Sequence, residues 1–219
     1  MSILLLGATG RTGRHLARRL RGAGQDLRVL IRDPARRPIF EDLGAQALVV
    51  DLREDFSRAF DGIHTVIYAA GSADGEGVCA ERAIDRDAIV TAIGYARQYR
   101  CQCFVLISTL LAADPARAPA SLRHYAQMKR ESDEQVIGSG LDYLILRPAT
   151  LTDDVGCGAI DLVDGPSAGG ATVSREDVAH LAVAAWQAGL RNRVLGFRQG
   201  HSDIASVIER LTHAAVPAH

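Results

Sequence analysis

The lysine of this chain, Lys129, stands four residues after a tyrosine, Tyr125. The other 24 of the 25 lysine and arginine residues are arginines, so the chain uses an amine side chain at this position alone. Residues i and i+4 share a helix face, and a neighbouring positive charge lowers the pKa of a tyrosine toward working pH. Such a phenol can give a proton to a carbonyl oxygen, or remove one in reverse. The pair predicts an acid–base site; the alternative is an incidental pair on a surface helix.

Hydroxyl groups end the apolar run that precedes this pair. Ser108 and Thr109 could hydrogen-bond a substrate oxygen, but a hydroxyl at a strand end is equally an ordinary cap for the next turn. His124 is a weaker acid–base candidate beside Tyr125. The other histidines lack metal-ligand spacing, and the cysteines form no Cys-x-x-Cys pair. Neither a metal site nor a disulfide framework is therefore predicted.

Three glycines at G-x-x-G-x-x-G spacing, Gly7, Gly10 and Gly13, join the first apolar run to a helical pattern. Glycines permit a tight turn and let the backbone approach a pyrophosphate, while the amides and the dipole of the helix start face its negative charge. The alternative is a tight strand-to-helix turn without a ligand. The position directly after an N-terminal strand favours a nucleotide site.

Arg32 ends the second apolar run, where an acidic residue would hold a ribose 2′-hydroxyl and an arginine suits a 2′-phosphate. Arg11, inside the glycine turn, could join it. Arg36 and Arg37 could contact the same phosphate or form a solvated helix face. Asp33 could serve a free ribose if the strand ends later than expected. The pattern predicts NADPH over NADH.

Two further strand ends carry candidate coenzyme contacts. Asp51 and Leu52 close the third run, where an adenine edge could rest, although Asp51 could equally cap the following turn. Ala69, Ala70 and Gly71 end the fourth run. Their small side chains would let a ribose and a nicotinamide lie across the strand ends, or reflect simple close packing.

Apolar runs alternate with helical patterns along the whole chain. We predict strands at residues 3–7, 27–32, 47–51, 65–70, 103–108, 142–147 and 194–198. Helices are predicted at 11–21, 80–100, 125–137 and 204–214, and from a capping box at 174–177 to near 189. Near-continuous apolar strands between helices indicate a Rossmann-like doubly wound parallel sheet with helices on both faces, in an α/β fold.

We expect one domain over residues 1–219, because no linker, repeat or low-complexity tract interrupts the pattern. The segments 109–124 and 149–173 are longer than packing requires and follow strand ends, so they are the predicted substrate walls.

Composition excludes several classes of protein. Apolar residues make up 47% and charged residues 23% of the 219, so a full core is possible and disorder is not expected. A formal net charge of −1 argues against a general nucleic-acid binder. The early apolar run at residues 3–6 is too short for a membrane span and lacks the basic flank of a signal peptide. A soluble cytoplasmic protein is expected.

The chain resembles the short-chain dehydrogenase/reductase superfamily. It is most similar to the atypical, single-domain NAD(P)H-binding branch that includes biliverdin-IXβ reductase and the NmrA-like redox sensors. The resemblance spans most of the chain and is carried by six stretches, LLLGATGRTG, VLIRDPAR, VIYAAGSADG, FVLIST, YAQMKRESDEQVIGSGLDYLILRPATLTDD and SREDVAHLAV.

The resemblance implies a Rossmann-like fold that binds NADP(H), with roles assigned by matching position. The residues around the pyrophosphate would be Gly7, Thr9, Gly10, Arg11, Thr12 and Gly13. Arg32 would meet the 2′-phosphate, Asp51 and Leu52 the adenine, Ala70 and Gly71 the central ribose. The nicotinamide carboxamide would meet the backbone of Pro148, Ala149 and Leu151. Ser108, Tyr125 and Lys129 would form the reductive site, and Lys129 could also hydrogen-bond the nicotinamide ribose.

The leading functional hypothesis is an NADPH-dependent oxidoreductase that transfers hydride to a small carbonyl, a quinone-like compound or a similar acceptor, with Tyr125 as proton donor. One alternative is an NADP(H)-binding redox sensor without turnover. Another is an epimerase or dehydratase, in which the nicotinamide is oxidised and reduced within one cycle. The short part after residue 150 leaves little room for a large substrate lobe, which ranks the epimerase last.

Overall fold

The computed structural model describes residues 1–71, 77–165 and 170–213. The strands are β1 Ser2–Leu6, β2 Asp26–Ile31, β3 Gln46–Val49, β4 Thr65–Tyr68, β5 Cys103–Ile107, β6 Asp142–Pro148, β7 Thr150–Thr152, β8 Ala159–Leu162, β9 Thr172–Ser174, β10 Arg193–Gln199 and β11 Ser202–Asp203. The helices are α1 Arg11–Gly22, α2 Arg37–Glu41, α3 Val78–Arg82, α4 Ala88–Gln98, α5 Arg123–Ile137, α6 Arg175–Gln187 and α7 Ile204–His213.

The main sheet has nine strands in the order β11-β8-β10-β6-β5-β4-β1-β2-β3. Neighbouring strands from β10 to β3 all pair in parallel. The chain runs from β1 outward to β3, then returns to β4 and runs outward the other way. The strand order therefore reverses between β1 and β4, and a ligand crevice is expected outside the carboxyl ends of these two strands. The predicted Rossmann-like fold is confirmed.

Both faces of the sheet are covered, because successive side chains of a strand point to opposite faces. In β1, Ile3 and Leu5 belong to one core cluster and Leu4 and Leu6 to the other. Helices α1 and α6 pack against each other on the first face, and α4 lies on the second. The two cores hold the carboxyl ends of β1, β4 and β5 at one edge of the molecule.

Several boundaries and connections differ from the sequence expectation. The predicted loop 149–173 contains β7, β8 and β9, of which β8 pairs antiparallel with β10 and β11. Strands β7, β8 and β9 have three or four residues each, too few for an apolar period to be read from the sequence. The predicted loop 109–124 holds three 3₁₀ turns before α5 begins at Arg123. Residues 166–169 of the first loop and residue 214 of the predicted last helix lie outside the described residues.

The predicted helix 80–100 is three segments. A π-helical turn, Ala83–Asp87, separates α3 from α4. Such turns occur frequently at functional sites. The part of the resemblance that covers residues 72–75 lies outside the described residues.

Within the described ranges, no helix has the length and apolar character needed to cross a membrane.

Candidate functional site

The glycine turn lies against the end of β4. Gly7 has φ +88°, a backbone conformation that favours glycine, and a Cβ there would lie 2.3 Å from the Ala70 nitrogen. A Cβ on Gly13 would lie 2.1 Å from the Gly7 carbonyl oxygen. Both glycines are therefore required by close backbone approach, and the turn meets the small residues predicted beside the ribose.

The amino terminus of α1 is left open by its cap. Gly10 is the cap residue, has no side chain to offer, and no acidic residue follows in the first turn. The first helical hydrogen bond runs from the Arg14 amide to the Gly10 carbonyl, at 3.1 Å. The amides of residues 11–13 thus have no helical partner, as at the start of any helix. Within the described residues, these three amides have no hydrogen-bond partner, and such amides beside a glycine turn fit the pyrophosphate of a dinucleotide.

Replacing Gly13 with alanine tests this turn. The added methyl cannot fit 2.1 Å from a carbonyl oxygen, so the turn has to open. We expect a loss of about 1–3 kcal/mol of unfolding free energy, as for overpacking, together with weaker coenzyme binding, measured by urea unfolding and calorimetry. Gly22→Ala is the matched control, because a Cβ there meets nothing within 4 Å in the same helix. Unchanged unfolding free energy and unchanged coenzyme affinity in Gly13→Ala would contradict the expected clash.

At the end of β2, Arg32 is exposed and directly follows the strand. Asp33 is engaged locally, because its Oδ1 accepts from the Ala35 amide at 2.9 Å and its Oδ2 lies 3.8 Å from Arg36 Nε. The carboxylate that could have served a free ribose therefore caps the next turn. Arg37 is exposed on α2.

Asp51 also turns back on its own loop. Arg53 donates to it from its backbone amide at 2.9 Å and from its guanidinium at 3.0 and 2.6 Å. The guanidinium of Arg53 lowers the pKa of Asp51 to about 2, with a smaller contribution from Arg32. Asp51 thus acts as a turn cap, the second of the two roles open to it from sequence. Contact of Asp51 and Leu52 with adenine stays a prediction.

Lys129 is a buried residue, with 4% of its side chain exposed. Its Nζ lies 3.0 Å from Asp85 Oδ1, donates to the Ile107 carbonyl at 3.4 Å, and lies 5.8 Å from the centroid of the Tyr125 ring. The predicted shared face of Tyr125 and Lys129 is confirmed, and the surface-pair alternative is wrong for Lys129. The amine reaches from α5 to the end of β5.

The pKa of Tyr125 is raised, which corrects the expectation that Lys129 would lower it. Burial is the largest cause; Lys129 acts in the lowering direction, but Asp85, Glu81 and Asp133 act with burial. The carboxylate that pairs with Lys129 offsets its influence on the phenol. Tyr125 is therefore protonated at neutral pH, which suits a proton donor rather than a resting phenolate.

The ammonium of Lys129 is held in its charged form. Burial alone would lower the pKa of Lys129, but Asp85 and Tyr125 raise it, so that the net direction is upward. Since a lone buried charge would be neutralised, Asp85 is the residue that keeps this cation in the interior.

Asp85 connects three elements around the lysine. It lies on the π-helical turn, and a Cβ on Gly71 would be 3.2 Å from its Oδ1. Ser132 of α5 donates to the Asp85 carbonyl. Tyr68, the last residue of β4, donates through its hydroxyl to the Ile84 carbonyl at 2.6 Å. The carboxylate thus lies beside the predicted ribose position, although no motif in the sequence marks Asp85 as a site residue.

A second buried ion pair continues along the same helix face. Asp133 stands four residues after Lys129, is fully buried, and accepts from Arg147 Nε of β6 at 2.7 Å. Burial raises the pKa of Asp133, against the lowering effects of Arg147, Ser108 and Lys129. Two features of the sequence could have indicated this pair. Tyr125, Lys129 and Asp133 follow one another at four-residue spacing, and Arg147 lies inside an apolar strand.

Ser108 lies next to Asp133. The residue is 5% exposed, and its hydroxyl lies beside the Asp133 carboxylate, whose pKa it lowers. Within the described part of the chain, no hydrogen bond joins the hydroxyls of Ser108 and Tyr125. Thr109 takes its ordinary role, because its Oγ1 accepts from the Leu111 amide and caps a 3₁₀ turn.

His124 is tied to α3. Its Nδ1 lies 2.6 Å from Glu81 Oε2, with both side chains partly exposed. This contact engages the weaker acid–base candidate one residue from Tyr125.

The end of β6 has part of its backbone already engaged. The Ala149 amide donates to the Phe197 carbonyl at 2.9 Å, and the Leu151 carbonyl accepts from Arg175 Nη1 at 3.4 Å. A contact with a nicotinamide carboxamide at Ala149 would have to use its carbonyl oxygen rather than its amide. The predicted roles of Pro148, Ala149 and Leu151 stay predictions.

The class of protein follows from a match to a known family. Residues 7–188 match the family described as NAD(P)H-binding, and the chain belongs to that family. The match begins in the glycine turn and extends through α6, so it contains β4, β5 and the Tyr125–Lys129 face. It supports a nicotinamide coenzyme and a small-molecule ligand, and it confirms the resemblance inferred from the sequence.

One sequence relative and two solved structures match this chain over nearly their whole length. Over 216 residues the chain is 27% identical to an uncharacterised sugar epimerase, YhfK, of Bacillus subtilis (strain 168), which covers 96% of this chain and 100% of that protein. A structure from Bacillus halodurans, described as a candidate NAD-dependent epimerase/dehydratase, superposes with a TM-score of 0.92 at 30% identity and covers 96% of this chain and 99% of that one. An anaerobillin reductase of Escherichia coli O157:H7, ChuY, shares the fold, with a TM-score of 0.77 at 21% identity and coverage of 91% and 97%.

Proposed function

We propose that the protein is an NADPH-dependent oxidoreductase of the short-chain dehydrogenase/reductase type, which transfers hydride to a small carbonyl, a quinone-like compound or a similar acceptor. The observation that carries the proposal is the burial of the chain's lysine, paired with Asp85 below the Tyr125 ring at the ends of β4 and β5. Burying a charged pair is costly unless its geometry is good, and titratable groups with strongly shifted pKa values cluster at functional sites.

In the proposed mechanism, each residue has a role that its position supports. The amides of residues 11–13 bind the pyrophosphate, and a bound reduced nicotinamide supplies the hydride. Tyr125, protonated because burial raises its pKa, donates its phenolic proton to the acceptor oxygen. Lys129 remains an ammonium and stabilises the phenolate that this transfer leaves. The buried hydroxyl of Ser108 orients the acceptor oxygen.

Turnover on a substrate panel tests this function. NADPH consumption is followed spectrophotometrically over small aldehydes, ketones and quinones. We expect net oxidation of NADPH with at least one of these acceptors. Coenzyme binding without turnover on the whole panel would instead favour the redox sensor.

Replacing Arg32 with aspartate tests the preference for NADPH. Hydrogen bonds to a charged group contribute about 1.5–3 kcal/mol, so the variant should bind NADPH about 10- to 100-fold more weakly while NADH binding changes little. Calorimetric titration with both coenzymes gives the two dissociation constants. The matched control is Arg97→Asp, which makes an equal charge change at an exposed position of α4. Undiminished preference for NADPH in Arg32→Asp would contradict the role of Arg32.

A second candidate function, an NAD(P)-dependent epimerase or dehydratase, is favoured by a specific observation. The Bacillus subtilis relative, matched over 100% of its length, is described as a sugar epimerase, and the Bacillus halodurans structure is described as an NAD-dependent epimerase/dehydratase. These descriptions favour the epimerase or dehydratase over the last rank that it has in the sequence analysis. An epimerase would change its substrate with catalytic coenzyme and no net consumption of NADPH. Product analysis of sugar substrates incubated with catalytic coenzyme therefore separates this class from both the reductase and the redox sensor.

A further inference from the structure

One carboxylate bridges the two halves of the proposed coenzyme cleft. Asp153, just after β7, accepts from Arg11 Nη1 of the glycine turn at 2.7 Å through Oδ2. Its Oδ1 accepts from Arg175 Nη1, at the start of α6, at 2.8 Å. A residue from the segment that follows β6 is thus fixed to the turn that follows β1.

The two halves of this bridge differ in burial. The side chain of Arg175 is 11% exposed, and it also donates to the Leu151 carbonyl. Arg175 therefore attaches β7 and the residues that follow it to the start of α6. Arg11 and Asp153 are 53% and 57% exposed. The Arg175 contact is therefore structural, whereas the Arg11 contact is in solvent and can exchange its partner at low cost.

The surroundings of Arg11 are otherwise positive. A cavity of about 390 Å³ is lined by Arg11, Arg14, His15, Arg18 and Asp153. Arg14 and Arg18 form no ion pair within residues 1–71, 77–165 and 170–213, and Asp153 is the acidic member of the lining. A dianionic pyrophosphate at the start of α1 would meet this carboxylate as the competing anion for Arg11.

We propose that Asp153 sets coenzyme affinity by occupying Arg11, and that coenzyme phosphate displaces Asp153 from this guanidinium on binding. The proposal rests on the coenzyme site proposed above. Asp153 then remains attached to Arg175, so the segment after β7 keeps its anchor while Arg11 changes partner.

The test is coenzyme affinity in Asp153→Asn, measured by calorimetric titration with NADPH and with NADH. Asparagine keeps an oxygen that can accept from Arg175 but removes the charge that competes for Arg11. An exposed pair of this kind contributes about 0.2–1 kcal/mol, so the dissociation constant for NADPH should fall about 1.5- to 5-fold. The difference from the unaltered protein should shrink as salt is raised, because exposed charges are screened.

Asp154→Asn is the matched control, because it removes the same charge from the next, exposed residue. The gain should be absent in Asp154→Asn, and it should vanish when Asp153→Asn is made in an Arg11→Gln background. Weaker or unchanged NADPH binding in Asp153→Asn, or an equal gain in Asp154→Asn, overturns the proposal. A gain in affinity without turnover on the panel would uphold it while overturning the oxidoreductase function.

Discussion

Replacing Tyr125 with phenylalanine is expected to lower kcat about 10²- to 10⁴-fold, the usual contribution of a general acid, while leaving NADPH affinity and stability nearly unchanged. The phenol has no hydrogen-bond partner within the described residues, so its removal leaves no buried group unsatisfied. The loss should therefore appear in catalysis alone. Steady-state kinetics on an accepted substrate, NADPH titration and urea unfolding separate the three quantities.

Tyr99→Phe is the matched control for this substitution. Tyr99 directly follows α4, and its ring packs near Phe60, outside the proposed site. Removing its hydroxyl should therefore leave kcat unchanged. If Tyr125→Phe turns over substrate as fast as the unaltered protein, the proton comes from another group and the assignment of Tyr125 is wrong.

Replacing Asp85 with asparagine is expected to destabilise the protein by about 3–5 kcal/mol, because the Lys129 ammonium would stay buried without its counter-charge. That is a large part of the 5–15 kcal/mol that stabilises a typical domain. Urea unfolding, with the midpoint and slope fitted together, measures the loss. The variant should be most stable at high pH, where the unpaired amine can lose its proton.

Adding Lys129→Met to Asp85→Asn removes the uncompensated charge. The double variant should therefore recover much of the stability that the single variant loses, which also provides a folded protein if the single variant unfolds. The Lys129→Met single variant completes the comparison. If the double variant loses the sum of the two single losses, the two side chains contribute independently and the inferred pairing energy is absent.

The glycine turn and the sheet around it could be predicted because their causes are local. Gly7 needs its positive φ, Gly13 needs its missing side chain, and both requirements are visible in the spacing of a strand, a turn and a helix. The period of apolar residues gave the parallel strands for the same reason. Ser174 was likewise predictable, since its hydroxyl caps α6 by accepting from the Asp177 amide.

The electrostatics of the candidate site depended on contacts between distant segments. Asp85 and Lys129 are 44 residues apart, so nothing in the sequence pairs them. The pKa of Tyr125 is raised rather than lowered because the phenol is buried, with Asp85 acting in the same direction, and neither cause is visible in the sequence. The π-helical turn that carries Asp85 reads as plain helix from its apolar spacing. The antiparallel β8 was missed because Ala159–Leu162 is too short to show a period and its pairing with β10 is set by tertiary structure.

The burial of Lys129 also means that proteolysis at this residue can measure how often α5 separates from the sheet. A lysine-specific protease has one peptide bond to cut in this sequence, and the side chain it must recognise is 4% exposed on α5. Cleavage therefore requires the helix to detach from the sheet, so its rate follows the population of open molecules rather than local fraying of the termini. The chain contains its own single-site probe of that separation, without any added label.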